Sequence, residues 1–451
     1  MPGQHHTIKI EKIVPNGFGL GRTAAGKIIL VRYVLPGEKV DVRPIKQKKQ
    51  YIEAELTSVL EPSPERCEPV CDIYDKCGGC DLQHTDASFQ LQLKKAMLSE
   101  NLVREGLSAD AVKTTLQPVF PSPKNFGYRQ RIHLQVSDSG KVGFYHIGTH
   151  TIEPTSRCPI AHPTIDTVLK HLHESGSIRK LLKLTGSLEL LYNPASEKAT
   201  LLFHFSRNPR PTDRALAKEI LQEASEIEHV LLHVEKHGCF WEQNDFSQPL
   251  TPPSLKLHVP KNITGLRDLN LTWEAGGFSQ VNVEQNLNMI SFILQKARPQ
   301  PQDRVLDLYC GMGNFSLPLS LYAHEVTGVD GQGSAIRSAK RNTTANQEQP
   351  MLNCSFEKTS VPAWVTKHVA SGETFDFLLL DPPRQGAPDI IALLPEFKAK
   401  RIVYISCNPA TLARDLKILK TADYRVRCIQ PFDMFPQTHH LETVTFLEKK
   451  K

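Results

Sequence analysis

The sequence predicts an α/β protein whose last third is a Rossmann-like sheet, preceded by a small OB-like β-barrel and a mixed α+β segment. Three observations predict this fold. Beyond residue 300, apolar runs typical of parallel strands end in glycine, carboxylate or thiol motifs. Short alternating runs separated by glycine and proline turns occupy the first 60 residues. A dense cysteine spacing lies between these two regions.

Length and composition set the outer limits. The chain has 451 residues, 40% of them hydrophobic and 23% charged, which is enough for two or three globular domains. Its net charge of +6 permits a polyanionic partner without requiring one. No window reaches the roughly 18 apolar residues of a membrane span, and residues 1–12 lack the apolar core of a secretory signal. We therefore expect a cytoplasmic protein with no membrane partner.

The first element is a barrel over residues 8–60, with turns at Pro15-Asn16-Gly17 and Leu35-Pro36-Gly37. Its basic stretch, Arg43 to Lys49, permits two interpretations. It is either a charged edge that prevents sheet aggregation or a rim that contacts RNA phosphates. The runs Asn16-Gly17-Phe18-Gly19 and Leu35-Pro36-Gly37-Glu38 resemble a TRAM domain, which is an RNA-binding barrel, and this resemblance favours RNA contact.

The second element is a cysteine cluster, Cys71-x5-Cys77-x2-Cys80, with a distant Cys158 before a proline. Disulfides are rare in the reducing cytosol. Structural zinc normally uses two CxxC-type knuckles, and only one is present here. Four such thiolates are typical of a [4Fe-4S] cluster, so we predict Cys71, Cys77, Cys80 and Cys158 as its ligands. Zinc and unligated thiols are the alternatives, and Cys67 is a spare cysteine nearby.

A third element, between residues 126 and 144, is a strand that carries Tyr128, Arg129, Arg131 and His133. A basic, aromatic strand face of this kind grips single-stranded RNA. The alternative, an exposed face with incidental charges, is favoured by these residues taken alone. Residues 168–259 show alternating helical and strand-like patches but no motif, so they predict no chemistry.

The last third begins with a buried strand, Arg304 to Tyr309, followed by the loop Cys310-Gly311-Met312-Gly313. Glycines permit a ligand to approach the backbone closely before a helix begins. The next strand ends at Asp330, where a carboxylate can bind a ribose diol. Ser316 replaces the third glycine of a dinucleotide fingerprint, so S-adenosylmethionine is the better candidate.

Two further strands end in reactive groups, in Asp381-Pro382-Pro383-Arg384 and in Ser406-Cys407-Asn408-Pro409. Because ligands bind at the carboxyl ends of parallel strands, a carboxylate and a thiol meet at the edge of a methyl-donor pocket. Arg384 is not aromatic, which argues against the amino-group methyltransferases, since these stack an aromatic residue on the base. Glu442 opens the final strand, either as a functional carboxylate or as a solvated strand-start residue.

Together these blocks resemble the RNA (uracil-5-)-methyltransferase family in content and order, and Phe278-Ser279-Gln280-Val281-Asn282 and Phe435-Pro436 through Glu442 extend the match. The resemblance implies that Cys407 is the nucleophile and Glu442 the base. It also implies that the iron–sulfur cluster organises RNA binding without redox chemistry. By the same resemblance, the contacts to S-adenosylmethionine come from Gln280, Tyr309, Asn314, Asp330 and Asp381.

The resemblance implies methylation of uracil C5 in RNA through a covalent adduct between Cys407 and C6. A specific uridine of 23S rRNA is the preferred target, because the cysteine set is commoner in the ribosomal branch, and the tRNA T-loop is the alternative. A non-catalytic RNA-binding protein with a degenerate transferase domain is a further alternative. A radical iron–sulfur enzyme is another, although Cys158 as fourth ligand would close the iron that such enzymes leave open. We expect a monomer with a TRAM-like barrel at 1–62, an iron–sulfur and RNA-binding domain at 63–270, and a methyltransferase domain at 271–451.

Overall fold

The computed structural model describes residues 5–242, 250–347 and 352–450 of the chain. Its strands form a closed barrel, two seven-stranded sheets and a two-stranded sheet. Among the helices of these described residues, none combines the length and apolarity needed to cross a membrane.

The first unit is a closed barrel with the strand order β1-β2-β3-β5-β4. Alternate side chains such as Ile8 and Ile10 point inward and are almost fully buried. Gly19 is required where strands approach closely, because a Cβ atom there would lie 2.2 Å from Val34 Cγ2. The predicted barrel is confirmed, and its strands are β1 (His6–Val14), β2 (Phe18–Arg22), β3 (Ile28–Val31), β4 (Lys39–Gln47) and β5 (Tyr51–Glu61).

A turn-rich segment then carries the first cysteines and leads into two helices, α1 (Ala87–Arg104) and α2 (Ala109–Thr115). Asp86 caps α1 by accepting hydrogen bonds from the backbone N–H groups of Ser88 and Phe89. Although they precede the central sheet in sequence, both helices pack their apolar faces, including Leu98 and Val112, into the core of the C-terminal sheet.

The central sheet has the order β12-β11-β10-β9-β6-β7-β8. One face is apolar and packs against three helices, α3 (Pro163–Glu174), α4 (Gly176–Leu182) and α5 (Pro211–Glu223). Most of this sheet comes from the stretch whose sequence carries no motif. Its strands are β6 (Arg131–Val136), β7 (Val142–Tyr145), β8 (Ile152–Pro154), β9 (Thr185–Asn193), β10 (Lys198–Phe205), β11 (Ile227–Val234) and β12 (Gly238–Trp241).

A two-stranded sheet and a short helix connect this unit to the C-terminal sheet. Leu255 and Leu271 of the connecting sheet pack between the apolar residues of both neighbours. The elements are β13 (Ser254–Val259), α6 (Lys261–Thr264), β14 (Leu269–Glu274) and α7 (Val283–Ala297).

The C-terminal sheet has the order β17-β16-β15-β18-β19-β21-β20. All pairs from β17 to β19 are parallel, whereas β21 runs antiparallel to both of its neighbours. The strand order reverses beside β15, which is where open α/β sheets bind ligands. The strands are β15 (Arg304–Leu308), β16 (Glu325–Asp330), β17 (Cys354–Lys358), β18 (Phe377–Leu380), β19 (Arg401–Ser406), β20 (Tyr424–Phe432) and β21 (Glu442–Lys449).

The predicted doubly wound sheet is therefore present, with helices on both faces. Its strand ends carry the predicted motifs, since Asp330 closes β16 and Glu442 opens β21. The helices between its strands are α8 (Ser316–Ser320), α9 (Gly333–Ala345), α10 (Val361–Ala370) and α11 (Pro409–Thr421).

Candidate active site

One cavity of about 490 Å³ lies at the carboxyl ends of β15, β16, β18 and β19. It brings together every residue predicted to contact the methyl donor and both residues predicted for catalysis. These residues are Gln280, Tyr309, Asn314, Asp330, Asp381, Cys407 and Glu442.

The glycine loop after β15 forms one wall of the cavity. The backbone N–H of Gly311 donates to Asp330 Oδ2 at 3.0 Å, and that of Gln332 donates to Oδ1 at 2.7 Å. These bonds fix the carboxylate at the tip of β16. Gly311 has a φ of +58° and nothing within 4 Å of a Cβ position, so a ligand can approach its backbone directly. This wall of the cavity therefore suits a ribose, whose hydroxyls can bond to Asp330 beside the unobstructed backbone of Gly311.

Tyr309 and Asn314 flank the glycine loop. Tyr309 has a φ of +64°, a left-handed conformation that a residue with a bulky side chain rarely adopts and that often marks a ligand site. Asn314 exchanges two hydrogen bonds of 2.9 Å with the side chain of Asn286 on α7. Behind the loop, the Oδ1 atom of the fully buried Asp307 has no hydrogen-bond partner among the described residues. These features fit a polar, amino-acid-bearing nucleoside such as S-adenosylmethionine.

Cys407 sits at the junction of β19 and α11. Asn408 caps that helix by accepting a hydrogen bond from the backbone N–H of Ala410, and Pro409 occupies its first turn. This cap ends the strand at Ser406 and leaves the thiol facing the cavity. Burial, together with the nearby charges of Glu442 and Asp381, raises the pKa of the Cys407 thiol to about 11.

Glu442 is only 4% exposed, and its carboxyl group lines the same cavity. Burial raises its pKa well above the usual value, and the charge of Asp381 acts in the same direction. Burial also raises the pKa of Asp381, to about 7. Two carboxyl groups at one buried site disfavour double ionisation, so we expect one of the two to be protonated in the free enzyme. A proton acceptor of raised pKa suits general base chemistry near neutral pH.

Three further residues line the cavity without a role predicted from sequence. The positive charge of Arg384 acts against burial and lowers the pKa of both Cys407 and Glu442, although both values remain raised overall. Burial lowers the pKa of His440 to about 4, so its imidazole is neutral and can hydrogen-bond a base edge. Phe278 is 63% exposed and offers an aromatic face. In the sequence, each of them lies within three residues of a predicted site residue. Arg384 is near Asp381, His440 is near Glu442 and Phe278 is near Gln280.

A second cavity, of about 210 Å³, is lined by the cysteines predicted as cluster ligands, namely Cys71, Cys77, Cys80 and Cys158. Cys67 is exposed and lies outside this lining. The cysteine loop is held on the hairpin of β7 and β8, because the N–H of Ile147 donates to Lys76 O at 2.8 Å. A carboxylate of α3 fixes the distant fourth cysteine, since Cys158 N donates to Asp166 Oδ1 at 2.6 Å.

The donor set fits a metal cluster. Burial raises the pKa of all four thiols, and the negative charges of neighbouring cysteines raise three of them further. Four such thiols become thiolates together only around a strongly positive centre. An all-sulfur set around a cavity of this size suits an iron–sulfur cluster.

The basic, aromatic strand predicted over residues 126–144 is only partly as expected, because β6 begins at Arg131 and Tyr128 and Arg129 precede it. Tyr128 is 4% exposed, and its hydroxyl donates to Pro436 O at 3.0 Å, so it presents no free aromatic face. Arg129 lines the cysteine cavity. Arg131 forms an ion pair with Glu189 and donates to Gly277 O at 2.9 Å. The prediction was wrong for Tyr128, because a loop distant in sequence covers it.

Comparison with known proteins agrees with this geometry. The sequence profile of the tRNA (uracil-5-)-methyltransferase family matches residues 261–450, and that of the TRAM domain matches residues 1–57. The chain is 31% identical to a 23S rRNA (uracil(1939)-C(5))-methyltransferase of Pectobacterium atrosepticum, over 98% of this chain and 94% of the relative. The corresponding protein of Pseudomonas putida is 33% identical over 99% and 94%.

A solved structure is similar over the whole length. It is the tRNA (uracil-54, C5)-methyltransferase of Pyrococcus abyssi in complex with S-adenosyl-L-homocysteine, which is 25% identical. The match has a TM-score of 0.72 and covers 98% of this chain and 99% of the other. The fold is accordingly that of a class I S-adenosylmethionine-dependent methyltransferase with an N-terminal TRAM domain. The chain belongs to the RNA (uracil-5-)-methyltransferase family.

Proposed function

We propose that this enzyme methylates C5 of one specific uridine in 23S rRNA, with Cys407 as nucleophile and Glu442 as base. The observation that carries the proposal is the single cavity that holds Cys407, Glu442 and the glycine loop of the donor site. The ribosomal target is supported by relatives named as 23S rRNA methyltransferases, which this chain matches over nearly its full length.

The chemistry requires a thiol and a carboxylate because C5 of uracil is a poor nucleophile. Addition of the Cys407 thiolate to C6 breaks the ring conjugation and makes C5 an enolate carbon. S-adenosylmethionine supplies an electrophilic methyl group, which C5 accepts when the two lie about 3–3.5 Å apart. Glu442 then takes the C5 proton, and the electron pair of that C–H bond expels the Cys407 thiolate. The uridine must leave its stack to enter the cavity.

We propose that Gln280, Tyr309, Asn314, Asp330 and Asp381 hold the methyl donor. Asp330, fixed by two backbone N–H groups, accepts the ribose hydroxyls. Arg384 stabilises the thiolate and the base by its positive charge. Phe278 and His440 contact the flipped base, one by stacking and the other by hydrogen bonding.

We further propose that Cys71, Cys77, Cys80 and Cys158 hold a [4Fe-4S] cluster that shapes the RNA-binding surface. Support comes from the four thiols around one cavity and from the tight loop that carries three of them. We retain the division into modules at 1–62, 63–270 and 271–451, with α1 and α2 packed across to the third module. We also propose that the protein is a cytoplasmic monomer.

A strain that lacks this gene tests the ribosomal target directly. Nuclease digestion and mass spectrometry of its 23S rRNA should show one missing 5-methyluridine. The wild-type gene should restore this modification, whereas a Cys407→Ala gene should not. Loss of 5-methyluridine from the tRNA T-loop instead would favour the tRNA substrate. Unchanged 5-methyluridine in both RNAs would contradict the proposal.

A further inference from the structure

A row of ionisable side chains crosses one face of the central sheet, outside the active site. His133 of β6 is paired in register with Glu189 of β9. His204 of β10 lies two residues beyond the partner of Glu189, on the same face. His233 of β11 is in register with His204. Four neighbouring strands thus contribute one side chain each.

The first three of these side chains converge on one point. Glu189 Oε1 lies 2.9 Å from His204 Nε2 and 3.7 Å from His133 Nδ1. All three candidate ligand atoms lie within 4.8 Å of one another. Glu189 is 4% exposed, so its carboxylate is held in place, whereas His133 is exposed enough for a solvent ion to enter.

The carboxylate has a defined orientation. Arg131 Nε donates to Glu189 Oε2 at 2.6 Å, and the guanidinium is itself held by the carbonyl oxygen of Gly277. Oε2 is therefore occupied, and Oε1 is turned toward the two imidazoles. Partners of this kind orient metal-binding carboxylates in known sites. The positive charge of Arg131 also weakens cation binding, so we expect micromolar rather than tighter affinity.

We propose that His133, Glu189 and His204 form a binding site for a divalent transition-metal ion, with Zn²⁺ as the best candidate. Two imidazoles and one carboxylate are a known zinc donor set, with bonds of about 2.0–2.2 Å that small side-chain rotations can reach here. This set leaves a coordination position for water or an anionic oxygen. Glu189 and His204 also line a cavity of about 600 Å³, so that position is accessible.

The site adjoins the cysteine cavity, which His133 also lines, whereas Glu189 and His204 lie outside that lining. None of its three proposed ligands is a thiol, and imidazole with carboxylate suits zinc better than an iron–sulfur cluster. His233 lies next in the row, with its ring 5.5 Å from that of His204, and can act as an additional ligand or as a neighbour. Without a metal, the row would be an ordinary histidine–carboxylate network on a sheet face.

The test uses the full chain purified without air, with its iron content measured first. Zn²⁺ is titrated calorimetrically, and the zinc retained after gel filtration is counted. We expect one additional zinc per chain in the wild type, at micromolar affinity. His133→Gln and His204→Gln keep the side-chain volume and a hydrogen-bond donor, and each should weaken zinc binding at least tenfold. The iron content should stay unchanged in His204→Gln, because His204 lies outside the lining of the cysteine cavity.

His229→Gln is the matched control. His229 lies on β11 of the same sheet and pairs with Glu242 at 2.7 Å, a histidine–carboxylate pair for which no third ligand lies nearby in the described part of the chain. This variant should bind zinc as the wild type does. The proposal is overturned if the wild type with a full iron content binds no zinc, or if both glutamine variants bind it unchanged.

Discussion

The backbone N–H of His439 donates a hydrogen bond of 2.8 Å to Asp81 Oδ1, and the His439 ring pairs with the same carboxylate. Asp81 directly follows Cys80, while His439 stands three residues before Glu442. The N–H groups of Asp81 and Leu82 also donate to Gln437 O, at 3.1 and 3.0 Å. The cysteine segment therefore holds the segment that leads to the proposed base.

Removal of this carboxylate should slow methyl transfer and destabilise the chain. Asp81→Ala leaves the half-buried N–H of His439 without an acceptor, which costs about 1 kcal/mol in the free energy of unfolding. We expect a lower kcat and an unchanged Kd for S-adenosylmethionine, because the proposed donor contacts lie on other segments. Asp81→Asn retains one oxygen acceptor and should lie closer to the wild type. An unchanged kcat in Asp81→Ala would show that the contact does not position the base.

Iron binding should depend on four cysteines and not on the fifth. Cys77→Ala and Cys158→Ala each remove a proposed ligand, and we expect them to lose the brown colour and much of their stability, since ligation contributes to folding. The wild type and Cys67→Ala should each retain about four irons per chain. Elemental analysis of anaerobically purified protein measures this. Stoichiometric zinc with no iron in the wild type would contradict the cluster.

Most residues of the C-terminal site could be predicted because they lie in short sequence motifs next to strands. Each parallel strand ends in a short motif, and the sheet itself brings those ends together. The turn at Asn408 and Pro409 was enough to place Cys407 at a strand end. This reasoning placed Asp330, Asp381 and Cys407 at one edge of the sheet, whereas Glu442, at the start of the antiparallel strand β21, was predicted only from the family resemblance.

Roles that depend on distant packing could not be predicted in the same way. Tyr128 is a residue type that often stacks on RNA bases. Its hydroxyl instead donates to the carbonyl oxygen of Pro436, which lies 308 residues away in the sequence. Glu189 and His204 lie within the stretch that carries no motif. Their strands, β9 and β10, contain runs of consecutive apolar residues, so no alternation of polar and apolar residues marks the face on which they lie. Their alignment with His133 follows from the register of three strands, which a single sequence does not reveal.

The lysines of the barrel should set the salt dependence of RNA binding. Lys46, Lys48 and Lys49 are exposed at the end of β4 and the turn after it. If they contact phosphates, their replacement by alanine should reduce the slope of log K against log salt by about 2. The Kd for S-adenosylmethionine should stay unchanged. RNA binding measured by filter retention at several salt concentrations tests this.

A matched control removes the same charge from the central unit. The three lysines chosen for it are exposed on α4, β10 and α5, and they are Lys180, Lys198 and Lys218. This triple variant should bind RNA with the slope of the wild type. Equal slopes in both triple variants would assign the barrel lysines to a solvated edge.

The reactivity of Cys407 in the free enzyme should rise steeply with pH. Burial and two neighbouring carboxyl groups disfavour the thiolate, so the thiol, with a pKa of about 11, is protonated at neutral pH. Alkylation by iodoacetamide should accelerate about tenfold per pH unit between pH 7 and 9, because only the thiolate reacts. Peptide mass spectrometry follows the labelling. Arg384→Gln removes a favourable charge and should react more slowly at each pH, and a rate independent of pH would contradict the raised pKa.

The two proposed catalytic residues should fail at different steps. Cys407→Ala should bind donor and RNA but form no covalent adduct and transfer no methyl group. In the Glu442→Gln enzyme, Cys407 should still add to C6 and C5 should be methylated. The reaction should then stall, because the C5 proton cannot leave and the thioether cannot be expelled. RNA with 5-fluorouridine at the target should trap the wild type, since fluorine cannot depart as a cation. Each adduct should survive denaturing electrophoresis and map to a peptide that contains Cys407. Activity in Cys407→Ala, or an adduct that maps to Cys310, would assign the nucleophile elsewhere.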